Sequence, residues 1–350
     1  MLAHTPHNPA GTRGLAFIEF AAVEPAAVAE LFATLGFTQV ARSDDGTVSH
    51  WRQGPVVFVL NGAPGTHGGR FAAEHGPCIS ALAFRVADAA AAFDHAVAMG
   101  AQPYDGPART FFADRALVGV GGSLLYLVDE SSACAALWNR AQGQSGGSAF
   151  NIGGIDHLTH NVRAGQLQHW ADFYSRIFGF REVFHMRTQG AATGFRTCAL
   201  RSPCGEICIP LNEPTDPKSQ IQEYIDVYHG EGVQHIALAS TDLPATIERL
   251  DGRIDFMSIP DTYYAGVDAR LPGHGENLPR LQRNGILLDG SRAADGRWLL
   301  LLQIFSRNLL GPIFFEFIQR KGNEGFGEGN AQALFEAIER EQIARGVVNA

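Results

Sequence analysis

Apolar and polar positions along the chain follow a pattern that occurs four times. Each unit begins with a short apolar strand, continues with a helix that has one Ala- or Leu-rich face, and ends in further apolar strands. The four opening strands are predicted at 14–20, 79–86, 153–162 and 232–240. The pattern indicates the order βαβββ in every unit, with a longer insertion in the fourth.

The helices and closing strands of the four units show how they must assemble. The helices are predicted at 26–37, 88–101, 166–180 and 243–250, and the closing strands at 56–62, 121–129, 206–213 and 311–319. A single βαβββ unit has one sheet face and one helix, so it cannot bury a core alone. Two units side by side would form a curved sheet around a cavity. We therefore expect an α+β protein with two domains, each an open curved barrel of two units.

A segment without apolar periodicity marks the predicted boundary between the domains. Residues 140–152 are rich in Gly, Ser and Gln, which is typical of a linker. We expect a first domain at 14–139 and a second at 153–328. Residues 1–13 then form an N-terminal extension, and residues 329–350 a C-terminal helix.

Composition excludes several classes of protein. The 350 residues are 45% hydrophobic and 18% charged, as in ordinary globular domains. A net charge of −9 without a Lys/Arg cluster argues against nucleic-acid binding. The start of the chain has no apolar signal segment, and the longest hydrophobic stretch, Trp298–Phe305, is too short to span a membrane. Five cysteines without a C-x-x-C pair are expected to be reduced thiols. A soluble cytoplasmic protein is predicted.

Histidines in the third and fourth opening strands are candidate metal ligands. Side chains alternate between the faces of a strand, so His157 and His160, three residues apart, point to opposite faces. At most one of them lines the cavity. His157 and His235 occupy matching places in their units, which favours these two as a pair.

Glu316 completes the set, as an isolated carboxylate in the apolar strand IFFEFIQ. A buried, unpaired carboxylate costs several kcal/mol, so it needs a partner or a metal. Two imidazoles and one carboxylate form a facial triad with open positions for other ligands. That set is typical of non-haem Fe(II) oxygenases.

The first two units provide an internal comparison. The positions that match His157, His235 and Glu316 hold Phe17, Ala81 and Tyr126, which are not plausible iron ligands together. The first domain is therefore expected to keep the fold without the site, and the function is expected in residues from about 153 onward.

Several phrases then resemble one family over nearly the whole chain: IDHLTHNV, PLNEP, KSQIQEY, GEGVQHIAL, DTYY, LLQIFS and GPIFFEFIQRKGNEGFGEGN. They are similar to the bacterial 4-hydroxyphenylpyruvate dioxygenases of the vicinal-oxygen-chelate (glyoxalase/extradiol dioxygenase) superfamily. GEGVQHIAL and FFEFIQRKGNEGFGEGN are highly specific to it.

The resemblance implies one Fe(II) per subunit, bound by His157, His235 and Glu316, and the conversion of 4-hydroxyphenylpyruvate and O2 to homogentisate and CO2 in tyrosine and phenylalanine catabolism. The steps are oxidative decarboxylation, ring hydroxylation and side-chain migration. The C-terminal helix is implied to gate the site, and a homo-oligomer, dimer or tetramer, is expected. The implied substrate residues are Thr197, Pro210, Asn212, Gln220, Gln234, Gln303, Phe305 and Phe326.

These residue types suit the substrate. Neutral amides such as Gln220, Gln234 and Gln303 can bond the phenol without adding charge, and Phe305 offers a face to its ring. Ala331 stands where most members have Phe. Two alternatives remain: 4-hydroxymandelate synthase, which hydroxylates the benzylic carbon of the same substrate, and a non-catalytic ligand-binding protein of the same fold. Pro210 and Asn212 match the pattern of the dioxygenases, which favours the dioxygenase over the synthase.

Overall fold

The structure is a computed structural model that describes residues 7–106, 115–132, 134–135, 150–189 and 193–330. It contains two β-sheets with helices packed on them, and the expected α+β class is confirmed. Most of the expected linker and of the C-terminal helix, including Ala331, lies outside the described residues.

The first sheet has seven strands in the order β2-β3-β4-β1-β5-β7-β6. Its strands are β1 (Thr12–Ala21), β2 (Thr38–Arg42), β3 (Val48–Gln53), β4 (Val56–Asn61), β5 (Cys78–Val86), β6 (Ala116–Val118) and β7 (Leu124–Val128). The helices of this half are α1 (Pro25–Thr34), α2 (His67–His75) and α3 (Ala89–Ala98).

The second sheet has eight strands in the order β13-β14-β15-β12-β8-β11-β10-β9. They are β8 (Ile152–Asn161), β9 (Arg181–Gln189), β10 (Gly194–Arg201), β11 (Cys208–Pro214), β12 (Gly232–Ser240), β13 (Leu287–Arg292), β14 (Trp298–Phe305) and β15 (Phe314–Lys321). The helices are α4 (Leu167–Phe178), α5 (Gln220–Tyr228), α6 (Leu243–Leu250), α7 (Asp261–Ala265), α8 (Val267–Arg270) and α9 (Leu278–Arg283).

The two sheets repeat one topology. Parallel pairs β1–β4 and β5–β7 in the first correspond to β8–β11 and β12–β15 in the second, and the central antiparallel pair β1–β5 corresponds to β8–β12. Units one, three and four have the predicted order βαβββ. In unit two, β6 and β7 follow α3 in the described residues, and Pro103 forms an isolated bridge to Leu117.

The structure differs from the predicted elements at several places. Strand β1 begins at Thr12, where the Asn8 side chain bonds the Thr12 backbone, and β8 begins at Ile152. Both strands therefore cross the expected boundaries at 14 and 153. Helices α2 and α5, each between two units, were not predicted. The fourth unit's insertion contains the short helices α7 to α9.

Matching side chains start matching helices. Asp88 caps α3 by accepting the Ala91 backbone N–H, and Asp242 caps α6 by accepting that of Ala245. Thr66 and Ser219 cap α2 and α5 in the same way. The repeat therefore extends to the side-chain caps that begin these four helices.

One large core joins the helix-covered faces of both sheets. Phe84 of β5 meets Phe178 of α4 edge-to-face, with ring centroids 5.6 Å apart, and stacks near Phe180. A separate apolar cluster fills the concave face of the first sheet. The concave face of the second sheet instead encloses a cavity. Among the described residues, no helix is long and apolar enough to cross a membrane.

Candidate metal centre and substrate pocket

Strand register brings the three predicted metal ligands onto one face. Ala237 of β12 pairs with His157 of β8 on one side and with Glu316 of β15 on the other. His235 lies two residues before Ala237 and therefore points to the same face. Residues that are far apart in sequence meet because β12 lies between β8 and β15.

The ligand atoms of these residues converge. Glu316 Oε2 lies 3.1 Å from His157 Nε2 and 3.4 Å from His235 Nε2, and the two Nε2 atoms are 3.3 Å apart. Metal–ligand bonds of about 2.1 Å place adjacent ligand atoms about 3 Å apart. All three side chains are buried. The residues therefore fit a single divalent metal ion.

Electrostatics keep the Glu316 carboxylate charged. Burial alone would raise its pKa, but His157 and His235 outweigh that effect and lower the pKa to about 2. Burial works against the charged form of His157, yet Glu316 and Asp156 raise its pKa to about 9. Burial lowers the pKa of His235. A bound cation would take the place of the imidazole proton beside Glu316.

Asp156 holds the His157 ring from behind. His157 Nδ1 donates to Asp156 Oδ1 over 2.8 Å, which leaves Nε2 to face the cavity. Arg320 donates to both oxygens of Asp156, at 2.7 and 2.9 Å. The same guanidinium bonds the carbonyls of Asn323 and Gly325, so it also ties down the turn after β15.

A second set of bonds holds Glu316. Gln303 Nε2 donates to Glu316 Oε1 over 2.8 Å, and Gln303 Oε1 accepts from Asn330 Nδ2 over 2.9 Å. The Tyr263 hydroxyl donates to Asn330 Oδ1 over 2.8 Å. Gln303, predicted to bind substrate, therefore orients the carboxylate in this structure.

The cavity beside these ligands has a volume of about 100 Å³. All eleven predicted site residues line it: His157, Thr197, Pro210, Asn212, Gln220, Gln234, His235, Gln303, Phe305, Glu316 and Phe326. The prediction missed Thr159, Phe184, Met186, Phe195, Ile221 and Phe314. Period-two alternation could have identified Phe314, two residues before Glu316.

Polar side chains form a row along one wall. The Thr197 hydroxyl donates to Asn212 Oδ1 over 2.7 Å, and Asn212 Nδ2 lies 3.3 Å from Asn161 Oδ1. His235 Nδ1 donates to Gln234 Oε1 over 3.1 Å. Gln234 thus uses its oxygen within the protein, and its amide hydrogens can donate to a ligand.

Aromatic rings form the remaining walls. Phe326 lies 5.9 Å from the His157 ring and 5.0 Å from Phe184, measured between centroids. Phe314 stacks on His235 at 4.7 Å. Apolar rings opposite a short polar row suit an aromatic ligand with one polar end.

His160 lies on the other side of the sheet, as predicted. Its Nδ1 bonds the Leu158 carbonyl at 3.0 Å, and its ring lies 6.5 Å from that of Tyr174 on α4. Burial lowers its pKa to about 4, so it is neutral. It is a core histidine.

Family models match both halves of the chain. Residues 6–140 match the model described as hydroxyphenylpyruvate dioxygenase, N-terminal, and residues 154–267 match that of the glyoxalase/bleomycin resistance protein/dioxygenase superfamily.

Similar proteins extend over the full chain. The 4-hydroxyphenylpyruvate dioxygenase of Pseudomonas aeruginosa is 46% identical, and the haemolysin VllY of Vibrio vulnificus is 45% identical, each over 98% of both chains. A solved triple mutant of 4-hydroxymandelate synthase from Streptomyces coelicolor has a TM-score of 0.79 and 26% identity, covering 95% of this chain and 99% of that one.

The repeated fold, with a candidate metal site on the concave face of the second sheet, defines a dioxygenase of the glyoxalase/dioxygenase superfamily. Sequence identity over nearly the full chain then identifies the family within this superfamily. The chain belongs to the 4-hydroxyphenylpyruvate dioxygenase family.

Proposed function

We propose that the chain binds one Fe(II) through His157, His235 and Glu316 and converts 4-hydroxyphenylpyruvate and O2 to homogentisate and CO2. The observation that carries this proposal is the convergence of two imidazoles and one carboxylate beside an aromatic-walled cavity. A two-histidine, one-carboxylate set is typical of non-haem Fe(II) oxygenases, because it leaves coordination positions for substrate and dioxygen. When bound, the ion supplies the redox and Lewis-acid chemistry of the reaction.

The polar row positions the phenol end of the substrate. The keto acid must face the three ligands, so the ring extends away from them, between the aromatic walls. Gln234 and Asn212 then lie where a phenol oxygen needs neutral partners. Gln220, on the first turn of α5, adds a third amide to this wall. Neutral amides bind a phenol without shifting its charge.

Other residues fix geometry and exclude water. Gln303 holds the Glu316 carboxylate, and Asp156 holds the His157 ring. Phe305, Phe314 and Phe326 present apolar surface around the reacting part of the substrate. A site without competing water limits hydrolysis and uncoupled reactions. Thr197 of β10 pairs with Asn212 of β11, and Pro210 lies two residues before Asn212 on the same strand. Both residues therefore shape the wall behind Asn212.

The decisive experiment identifies the product of the reaction. The chain is loaded anaerobically with Fe(II), mixed with 4-hydroxyphenylpyruvate, and exposed to air while oxygen uptake is followed. Homogentisate and 4-hydroxymandelate are isomers, so the product is identified by chromatography against both standards. We expect homogentisate. A 4-hydroxymandelate product would assign the chain to the sister reaction, and an absence of oxygen uptake by the iron-loaded chain would support a ligand-binding role.

Two variants separate metal binding from substrate binding. Glu316→Ala should lose iron and turnover together, because it removes a ligand. Asn212→Ala should keep its iron and raise KM, because it removes a partner from the polar row. Loss of iron from Asn212→Ala would contradict the roles assigned to the two walls.

The wider organisation belongs to the same proposal. We assign residues 14–139 to a domain without a metal site and residues 153–328 to the catalytic domain, with the terminal helix from 329 as a gate. The homo-oligomer and the cytoplasmic location remain predictions.

A further inference from the structure

A second group of metal-ligating side chains lies on the outer face of the second sheet. Glu182 and His185 belong to β9, and Cys198 belongs to the neighbouring β10. On these same strands, Phe184 and Thr197 face the substrate cavity. The group is therefore separated from the metal centre by the thickness of the sheet.

A β-bulge creates this arrangement. Ala199 pairs with Phe184, and Leu200 pairs with Glu182, so Val183 has no partner on β10. Residues three apart on a regular strand point to opposite faces, and the extra residue brings Glu182 and His185 to the same face. Cys198 is the direct cross-strand partner of His185, which places its side chain on that face as well.

The three ligand atoms are close together. Glu182 Oε2 lies 2.6 Å from His185 Nε2, which lies 4.0 Å from Cys198 Sγ. Around a tetrahedral zinc ion the corresponding separations are about 3.3 to 3.6 Å. His185 and Glu182 have 61% and 42% of their side-chain surface exposed, so small rotations reach those distances while the buried Cys198 stays fixed.

We propose that Glu182, His185 and Cys198 bind a divalent cation of the zinc class, with water at the fourth position. The combination of carboxylate, imidazole and thiolate favours zinc or cobalt over magnesium or calcium, which prefer oxygen ligands alone. The ion joins the edge strand β9 to β10 directly behind the wall that carries Phe184 and Thr197. This site is independent of the proposed iron site.

Binding exchanges a proton for the metal. The ion forms a bond to the Cys198 sulfur, and the thiol proton passes to solvent, with no change in oxidation state. Burial, reinforced by Glu182, raises the pKa of Cys198 to about 12, so the free thiol is protonated at neutral pH.

Cobalt(II) is the probe that tests the proposal, since a cobalt–thiolate bond gives a charge-transfer absorption in the near ultraviolet. The full chain is titrated anaerobically, with bound metal counted after gel filtration. We expect two Co(II) per chain and one thiolate band. Cys198→Ser should bind one Co(II) and show no thiolate band. His185→Asn should raise at least tenfold the cobalt concentration at which the band reaches half of its full intensity.

Matched variants make the outcome specific. Cys204→Ser, which alters a half-buried thiol away from the group, should keep both ions and the band. His235→Ala should lose the ion of the metal centre and keep the band, which separates this proposal from the proposed iron site. No band in the unaltered chain, or a band that survives in Cys198→Ser, would overturn the proposal. Because His185 is exposed, its variant tests the site even if Cys198→Ser folds poorly.

Discussion

The two sheets of this protein share topology and register but differ in what their concave faces hold. Phe17 and Tyr126 pair with Ala83 in the first sheet, just as His157 and Glu316 pair with Ala237 in the second. The first set belongs to an apolar cluster, and the second, with His235, forms the candidate metal centre. The fold therefore provides the positions, and the residue types alone decide whether a site exists.

The correspondence continues beyond the metal ligands. Strand β5 has a bulge at Ser80, and β12 has one at Gln234, at the same point opposite β1 and β8. Asn61 pairs with Ala21 as Asn212 pairs with Asn161. The first sheet thus has a small polar cluster where the second has the polar row that contains Asn212 and Gln234.

A buried carboxylate occupies that cluster in the first sheet. Glu19, which matches Thr159 in register, accepts hydrogen bonds from Asn61 at 3.0 Å and Ser80 at 2.9 Å. Burial outweighs these neutral donors and raises its pKa to about 7. Glu316 is equally buried, but two imidazoles lower its pKa to about 2. Neutral donors do not replace a positive partner inside a protein.

Removing a metal ligand should produce the largest difference between the two sheets. Glu316→Ala is expected to lose bound iron and to reduce turnover by several orders of magnitude, because two imidazoles alone cannot hold the ion in its open geometry. Iron content and oxygen uptake measure this. Tyr126→Phe, at the matching position of the first sheet, should leave both unchanged. Equal losses in the two variants would contradict the assignment of one site to the second sheet.

Placing a carboxylate in the first sheet should show why that sheet stays apolar. Tyr126→Glu places a carboxyl group in the apolar cluster beside Phe17 and Ala81, so the free energy of unfolding is expected to fall by about 3 kcal/mol or more. Urea unfolding measures the change, with Tyr126→Phe as the control. An unchanged unfolding midpoint would show that this face admits charge.

Glu19 should make the stability of the protein depend on pH. Its pKa rises from 4.5 to about 7 on folding, so its contribution is fully present below pH 4.5 and is lost as pH rises towards 7. The loss amounts to about 3 kcal/mol. Glu19→Gln should remove this part of the pH dependence when unfolding is measured at pH 5 and pH 7.5. Identical pH dependence in both proteins would mean that Glu19 is ionised when folded.

Asp156 should have the smallest effect, because it acts on the metal only through His157. Asp156→Asn weakens the bond that orients the ring, and metal affinity is expected to fall about 10- to 100-fold. Competition with a chelator measures it. Asp172→Asn, on the exposed face of α4, is the matched control and should keep its affinity. Unchanged affinity in Asp156→Asn would show that packing alone orients His157.

Periodicity and repeat alignment were sufficient for much of the fold and of the candidate site. The period of two separated His157 from His160, and matching units paired His157 with His235. Helix α5 could also have been predicted, since Ser219 caps it and Ile221, Tyr224 and Tyr228 follow helical spacing. Helix α2 has the same kind of cap, Thr66, but lacks the apolar spacing, because it contains two glycines and few apolar residues.

The sequence by itself determined the repeat, the strand faces and the residue types that can bind metal, because these depend on local periodicity and side-chain chemistry. Only the tertiary structure decided which distant groups meet. Asp156 and Arg320 pair across 164 positions, and Gln303 binds Glu316 rather than solvent, because β14 and β15 lie side by side near β8. The Val183 bulge, which no period reveals, aligned Glu182 with His185. Such contacts depend on strand order and register, which emerge only when the sheet is assembled.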